Sequence, residues 1–420
     1  MLITKNTIIE KLSNNKSIIQ NFSYLSALQL INLLIPLATY PYLIRVIGKE
    51  TFGTVVFAQA IVNYLVILVG FGFNISATRF VSIYRDDKKK LSEIVSSVFV
   101  LKSLLLVIAF IILSVLLFWI PRTRGYEILF FVSMWACVYE VIFPIWYYQG
   151  LEKMQYITFI TLISRLIFVF LIFVLIHQSS DFLLIPAIYG IGAIVAGAVS
   201  LYFIFVRHNI SFRWQKISTL RYYFIDSVPI FISSASASIY VNANKIITGT
   251  FLGMTEVAYY DLAEKITTLL KQPLSILNQS IFPKISKEKN IIFIKKIFKL
   301  SLLGNTILST IAILMSKYII LFFGGRQMID SQLTTCILAT TVPVIAMNNI
   351  FAIQILIPFG YTRTFSKIIA GGAFFYFIQV TCLYLISCFS IINISIVTLF
   401  TEIFVTLAAY FYCKKYRIWH

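Results

Sequence analysis

Asp261, Glu264, Thr268, Lys271, Ser275 and Asn278 recur at steps of three and four inside one apolar run, a spacing that lines them along a single helical face. Lys271 stands near the middle of that run, two residues before Pro273, where an ammonium must find an anion or water. Three other runs carry similar stripes: Ser23, Ser26, Gln29 and Asn32 ahead of Pro36 and Pro41; Gln59, Asn63, Gly70 and Asn74; and Ser234, Ser238, Asn242 and Lys245. Four such helices would enclose a hydrated cavity whose cations are Lys245 and Lys271. That suits an anionic ligand, above all a phosphate, which lysine binds as a point charge. The candidate binding residues are Lys271, Lys245, Arg165, Asn242, Glu264, Gln59, Asn63 and Gln29.

Plainer readings stand beside this one. Serines such as those between Ser233 and Ser238 mark close helix packing more often than a ligand site. Lys265 follows Asp261 by four residues and is open to neutralisation by it, while Lys102, Lys317 and Arg165 have stems long enough to carry their charge toward headgroups. The prolines Pro36, Pro41 and Pro273 bend helices for packing as well as for gating.

The sequence lacks the phosphate-binding loop of ATPases, the dinucleotide glycine fingerprint, H-E-x-x-H and G-x-S-x-G. The five cysteines lie in or at the ends of apolar runs and the three histidines share no local motif, so no metal, disulfide framework or cofactor is expected. A transporter is expected rather than an enzyme.

Apolar residues make up 59% of the 420 and charged residues 12%, with a mean hydropathy of +0.89, so lipid is the solvent for most of the chain. About 20 apolar residues cross a bilayer as a helix. On that measure twelve spans are read at 22–44, 54–77, 94–118, 127–148, 157–177, 182–205, 229–252, 258–282, 298–322, 333–357, 367–388 and 391–413. The fold class is all-α and polytopic. Residues 1–21 form a cytoplasmic tail, 22–206 an N-terminal six-helix lobe, 207–228 a cytoplasmic linker, 229–413 a C-terminal six-helix lobe, and 414–420 a second tail. Alternate loops hold 24 and 5 Lys or Arg residues, which places both termini in the cytoplasm. That bias, facing anionic headgroups, accounts for most of the net charge of +19, so a nucleic-acid partner is not needed.

Sliding the chain by 205 residues lays Ile47-Gly48 over Leu252-Gly253, Phe57-Ala58 over Leu262-Ala263, Gln59 over Glu264 and Arg79 over Lys284. Two copies in the same orientation are implied. Three phrases then resemble the polysaccharide-transport members of the multidrug/oligosaccharidyl-lipid/polysaccharide (MOP) exporter superfamily, in particular the bacterial O-antigen flippases. They are Tyr42 through Arg45, Gly48, Lys49 and Gly53; Tyr148-Gln149-Gly150-Leu151-Glu152-Lys153 followed by Arg165; and Gly253 through Tyr259, Glu264 and Lys265 to Phe282-Pro283-Lys284.

The resemblance implies two six-helix lobes forming a V in the bacterial inner membrane. It implies a polyprenyl-pyrophosphate-linked oligosaccharide as substrate, passed between leaflets by alternating access, with membrane lipids around it. A polysaccharide polymerase and a chain-length regulator are the implied protein partners, and H⁺ or Na⁺ the implied coupling ion. The first span has no arginine between Asn21 and Arg45, so the strongly cationic first helix of peptidoglycan-precursor flippases is not reproduced. A cation-coupled exporter of organic cations stays open through Glu140, Asp261, Glu264 and Glu402. A membrane glycosyltransferase is disfavoured by the short outward loops.

Overall fold

The computed structural model describes residues 23–419 apart from 25, 26, 30, 32 and 33 and the side chains of 122, 233, 236–241, 279, 280 and 283. The expected tail 1–21, the stripe residues Ser26 and Asn32, and the side chains of Ser238 and Gln279 lie outside the described residues. Every element is helical, and no strand occurs among the described residues.

Among the described residues, ten helices are long and apolar enough to cross a membrane. In chain order they are α1 (Ala27–Ile47), α2 (Lys49–Ile83), α3 (Lys88–Trp119), α4 (Glu127–Gly150), α5 (Met154–Leu175), α6 (Ser179–Arg207), α9 (Ile291–Leu314, continued by Ser316–Gly324), α10 (Arg326–Leu356), α11 (Thr362–Leu385) and α12 (Ile391–Lys415). Between α6 and α9 lie α7 (Ile217–Phe251) and α8 (Met254–Glu288), each of 35 residues. These two carry two of the four polar stripes, with all of the charged members. Ten of the twelve spans read from sequence fall on these apolar helices; the other two fall on α7 and α8, whose polar faces need protein or water beside them.

Local chemistry sets the helix ends. The Asp87 carboxylate accepts from the Lys89 and Lys90 amides and so starts α3, a cap that contributes about 1 kcal/mol. Asn290 and Ser390 cap α9 and α12 in the same way. In α2 the chain turns at Phe71 (φ 43°) and Gly72 (φ 74°). A Cβ at Gly72 would lie 2.9 Å from the Ile230 methyl, so glycine is needed there twice over. Pro144 divides α4, and α10 passes into a π-helical stretch at Asn349–Leu356.

The internal repeat reappears in these boundaries. Helices α2 and α8 start after Gly48 and Gly253, both at positive φ, and they begin and end 205 residues apart. The same interval separates Trp119 at the end of α3 from Gly324 at the end of the α9 continuation.

The chain forms two compact units: Met1–Tyr42 with Ile61–Ala235, and Leu43–Ala60 with Ser236–His420. The first is built on a core containing Phe73, Val95, Trp146, Tyr148 and Ile204. Within it Tyr148 donates to the Ser200 carbonyl at 2.8 Å, and a Cβ at Gly150 would meet Val81 at 2.6 Å. The family-like phrase from Tyr148 to Lys153 thus records tight packing. Lys102 departs from the expectation that it reaches an interface: its side chain is 1% exposed and ion-paired to Glu140 at 2.9 Å. Asn74 donates to the same carboxylate oxygen at 3.0 Å. The stem that was expected to carry the charge outward is used to bring it to a carboxylate on α4.

The second unit has an apolar cluster around Ile294, Ile355, Ile368 and Val405. Here the first-loop phrase makes specific contacts. Arg45 donates to the Phe322 carbonyl at 2.7 Å, Lys49 donates to the Tyr259 hydroxyl at 2.5 Å, and Tyr259 donates to Asp330 at 2.9 Å. Gly53 lets α2 touch the start of α8, because a Cβ there would fall 1.7 Å from the Met254 carbonyl oxygen.

Candidate functional site

Two adjoining cavities of the second unit are lined by polar and charged residues of α8, α10 and α12. The larger, of about 600 Å³, lies between α8, which contributes Lys271, Ser275 and Asn278, and α10, which contributes Ile345, Asn349 and Gln354. The π-helical stretch of α10 sets Asn349 and Gln354 on this wall, and Gln354 donates to the Asn278 carbonyl at 3.1 Å. The smaller cavity, of about 80 Å³, shares Lys271 and Ile345 and adds Glu264, Thr267, Thr398, Thr401 and Glu402.

Lys271 therefore stands where the cavities meet. It is the one charged residue lining the larger cavity, and its ammonium has no hydrogen bond or ion pair among the described residues. Glu402 shares the smaller cavity with it, also without a hydrogen-bonded or ion-paired partner for its carboxylate among the described residues. Lys245 does not stand as a free cation. Its ammonium bridges Asp261 at 2.7 Å and Glu264 at 2.6 Å, which leaves that triad with one net negative charge. The cationic bias expected from two lysines thus reduces to Lys271, and it is felt in the larger cavity.

Sequence reasoning missed the polar lock beside the triad. Asn244 donates to the Tyr260 hydroxyl at 2.6 Å and to Thr398 at 3.0 Å, and it accepts from Tyr376 at 2.6 Å, so one amide ties α7, α8, α11 and α12 together. Asn244 falls outside the stripe of Asn242 and Lys245, and a helical period alone gives no signal for it. Glu402 was visible as an intramembrane acid, but only the fold brings it to Lys271.

The structure brings together Lys245, Glu264 and Lys271. Asn242 is half-buried on α7, three residues before Lys245. Gln59 is exposed in the second unit, while Asn63 is exposed and Gln29 half-buried in the first. Arg165 also belongs to the first unit, with its guanidinium 5.2 Å from the centroid of the Tyr189 ring, a cation–π placement.

Comparison with known proteins agrees with this architecture. A protein of Escherichia coli (strain K12) named as an O-antigen transporter is 31% identical over 86% of this chain and 88% of its own length. A protein of the same name from Shigella dysenteriae is 27% identical over 81% of this chain and 87% of its own length. The solved structure of an inward-facing multidrug resistance MATE family transporter of the MOP superfamily has a TM-score of 0.69 at 13% identity. That match covers 93% of this chain and 94% of the other, and it concerns the fold. The model of the family described as polysaccharide biosynthesis protein matches residues 18–289, and with the full-length curated relatives and the MATE fold, the chain belongs to that family.

Proposed function

We propose that the chain is a flippase for polyprenyl-pyrophosphate-linked oligosaccharide repeat units of O-antigen or capsule, moving them from the cytoplasmic to the periplasmic leaflet of a bacterial inner membrane. The observation that carries the reading is Lys271, an ammonium with no hydrogen bond or ion pair among the described residues, at the wall of a cavity of about 600 Å³. A pyrophosphate entering this space would meet one positive charge in a medium of low dielectric, where a charge pair is worth far more than in water. Asn278, Asn349 and Gln354 supply amide groups for the phosphate oxygens or the first sugar, and the prenyl tail stays in lipid.

Both termini are read as cytoplasmic from the 24 to 5 distribution of loop cations. Alternating access of two lobes is the cycle such a repeat architecture serves. A polymerase and a chain-length regulator would take the exported units, and H⁺ or Na⁺ would supply the energy.

The test is charge reversal. Lys271→Glu is expected to abolish surface polysaccharide and accumulate lipid-linked intermediates, Lys271→Gln to be milder, and Lys317→Glu, at an exposed position, to have little effect at equal membrane abundance. Normal export by Lys271→Glu would remove Lys271 from the substrate path. A second reading, a cation-coupled exporter of organic cations, draws on Glu402, whose carboxylate stands in the smaller cavity without an ion-paired partner among the described residues. Efflux of a cationic dye that depends on Glu402 and not on Lys271 would favour it.

A further inference from the structure

A third cavity, of about 330 Å³, opens in the first unit where the ends of α2, α3 and α7 meet. Its size lies within the ~300–1,000 Å³ range of small-ligand sites. Its walls are aromatic: Phe80 is buried with its ring 5.1 Å from Tyr223 in an edge contact, while Tyr222 and Tyr84 are 58% and 37% exposed. Ser218 and Thr219 also line it. Neither these nor the hydroxyls of Tyr84 and Tyr222 make a hydrogen bond among the described residues.

The charges of this pocket are already spent on each other. Lys90 donates to both oxygens of Glu93, at 2.8 and 3.0 Å, and Tyr223 donates to the same carboxylate at 3.1 Å. Nearby Arg79 is held by both oxygens of Asp226, at 2.8 and 2.9 Å. Burial, then Glu93, holds the Tyr223 hydroxyl well above its ordinary range, so it remains a donor. Among the described lining residues a phosphate finds no unpaired cation. A neutral polyhydroxylated ring, in contrast, finds aromatic faces to stack on and unpartnered hydroxyls to exchange hydrogen bonds with.

We propose that this pocket is a binding subsite for the sugars of the substrate, separate from the phosphate-receiving cavity at Lys271. It rests on the flippase reading above. The flanking segments carry Arg85, Lys88, Lys89, Arg213, Lys216 and Arg221, which by the positive-inside rule face the cytoplasm, the side from which a lipid-linked glycan is loaded. The pocket would then select among glycans before flipping, through Tyr84, Tyr222 and the Glu93 carboxylate.

The competing assignment is an interfacial aromatic anchor, since exposed tyrosines also collect at headgroup depth. To separate the two, the purified chain in detergent is titrated with lipid-free repeat-unit oligosaccharide, released by mild acid from the host's polyprenyl-linked intermediates, and followed by saturation-transfer NMR. Saturable binding is expected, weakened about fivefold or more by Tyr222→Ala, in line with the loss of one stacking contact. Glu93→Gln should weaken it as well, Tyr222→Phe should retain most of it, and Trp214→Ala, on the exposed linker, should leave it unchanged. Absence of saturable binding by the wild type, or equal binding by Tyr222→Ala, overturns the proposal. So does a Tyr222→Ala chain that keeps the glycan but loses affinity for phosphatidylglycerol vesicles, which would assign the anchor instead. Lys271→Glu separates this proposal from the reading it rests on: intact glycan binding with lost export supports both, whereas normal export by that variant defeats the phosphate cavity while the titration still decides the sugar pocket.

Discussion

Replacing Lys102 with methionine keeps the length and much of the volume of the side chain and removes only the ammonium. Lys102 is 1% exposed and Glu140 15%, and the ammonium donates to the Glu140 carboxylate at 2.9 Å and to its backbone carbonyl at 3.1 Å. After the substitution Glu140 keeps one donor, Asn74, and its charge faces packed helix and lipid. Removing one partner of a buried pair costs about 3–5 kcal/mol, chiefly because the other charge is stranded. At ~2–4 °C per kcal/mol for a unit of about 200 residues, the melting temperature should fall on the order of 10 °C. The double variant Lys102→Met with Glu140→Gln strands no charge and should recover more than half of that loss, the mark of direct coupling in a double-mutant cycle. Intrinsic fluorescence during heating in detergent, with size-exclusion recovery as a second measure, reads both. A single variant within about 2 °C of the wild type would mean that water or headgroups reach Glu140. A double variant as unstable as the single would show that packing around Lys102, not its charge, is what the position contributes.

Two further predictions concern the ends of the helices. Reporter fusions after Lys90, Arg213, Lys289 and Lys415 should read cytoplasm and fusions near Lys49, Gly125 and Gly325 periplasm; reversal at two consecutive loops would sink the assigned orientation. His208, just beyond α6, has Nε2 at 3.3 Å from the Lys153 ammonium and Nδ1 at 3.0 Å from the Tyr147 hydroxyl. Burial, then Lys153, Arg207 and Lys88, lowers its pKa. The folded chain therefore binds fewer protons than the unfolded chain once the pH drops below about 6.5, and stability is lost on the acid side. His208→Gln should reduce the fall in melting temperature between about pH 7.5 and about pH 5.5, and an unchanged fall would place the acid sensitivity elsewhere.

The parts of this molecule that sequence displays are those governed by a single helix. Lys271, Ser275 and Asn278 fall on one face by spacing alone, and that face does line a cavity. The 205-residue interval is legible because the glycines that open α2 and α8 are needed for backbone conformation, whatever the helices go on to pack against. What spacing cannot supply is the partner of a charge, since partners come from helices far apart in the chain. Lys102 and Glu140 are separated by 38 positions, so no helical period links them, and each taken alone invites the reading of a side chain stretching toward water. Lys245 shows the same limit with a functional consequence. Counted with Lys271 it makes a cavity cationic, but Asp261 and Glu264 close on it, and among the described residues the larger cavity is left with Lys271 as its charged side chain. The sign of the field at a membrane site is thus a property of tertiary pairing. A stripe of polar residues marks a candidate site, and the proposed phosphate contact rests on the one ammonium there that makes no ion pair among the described residues.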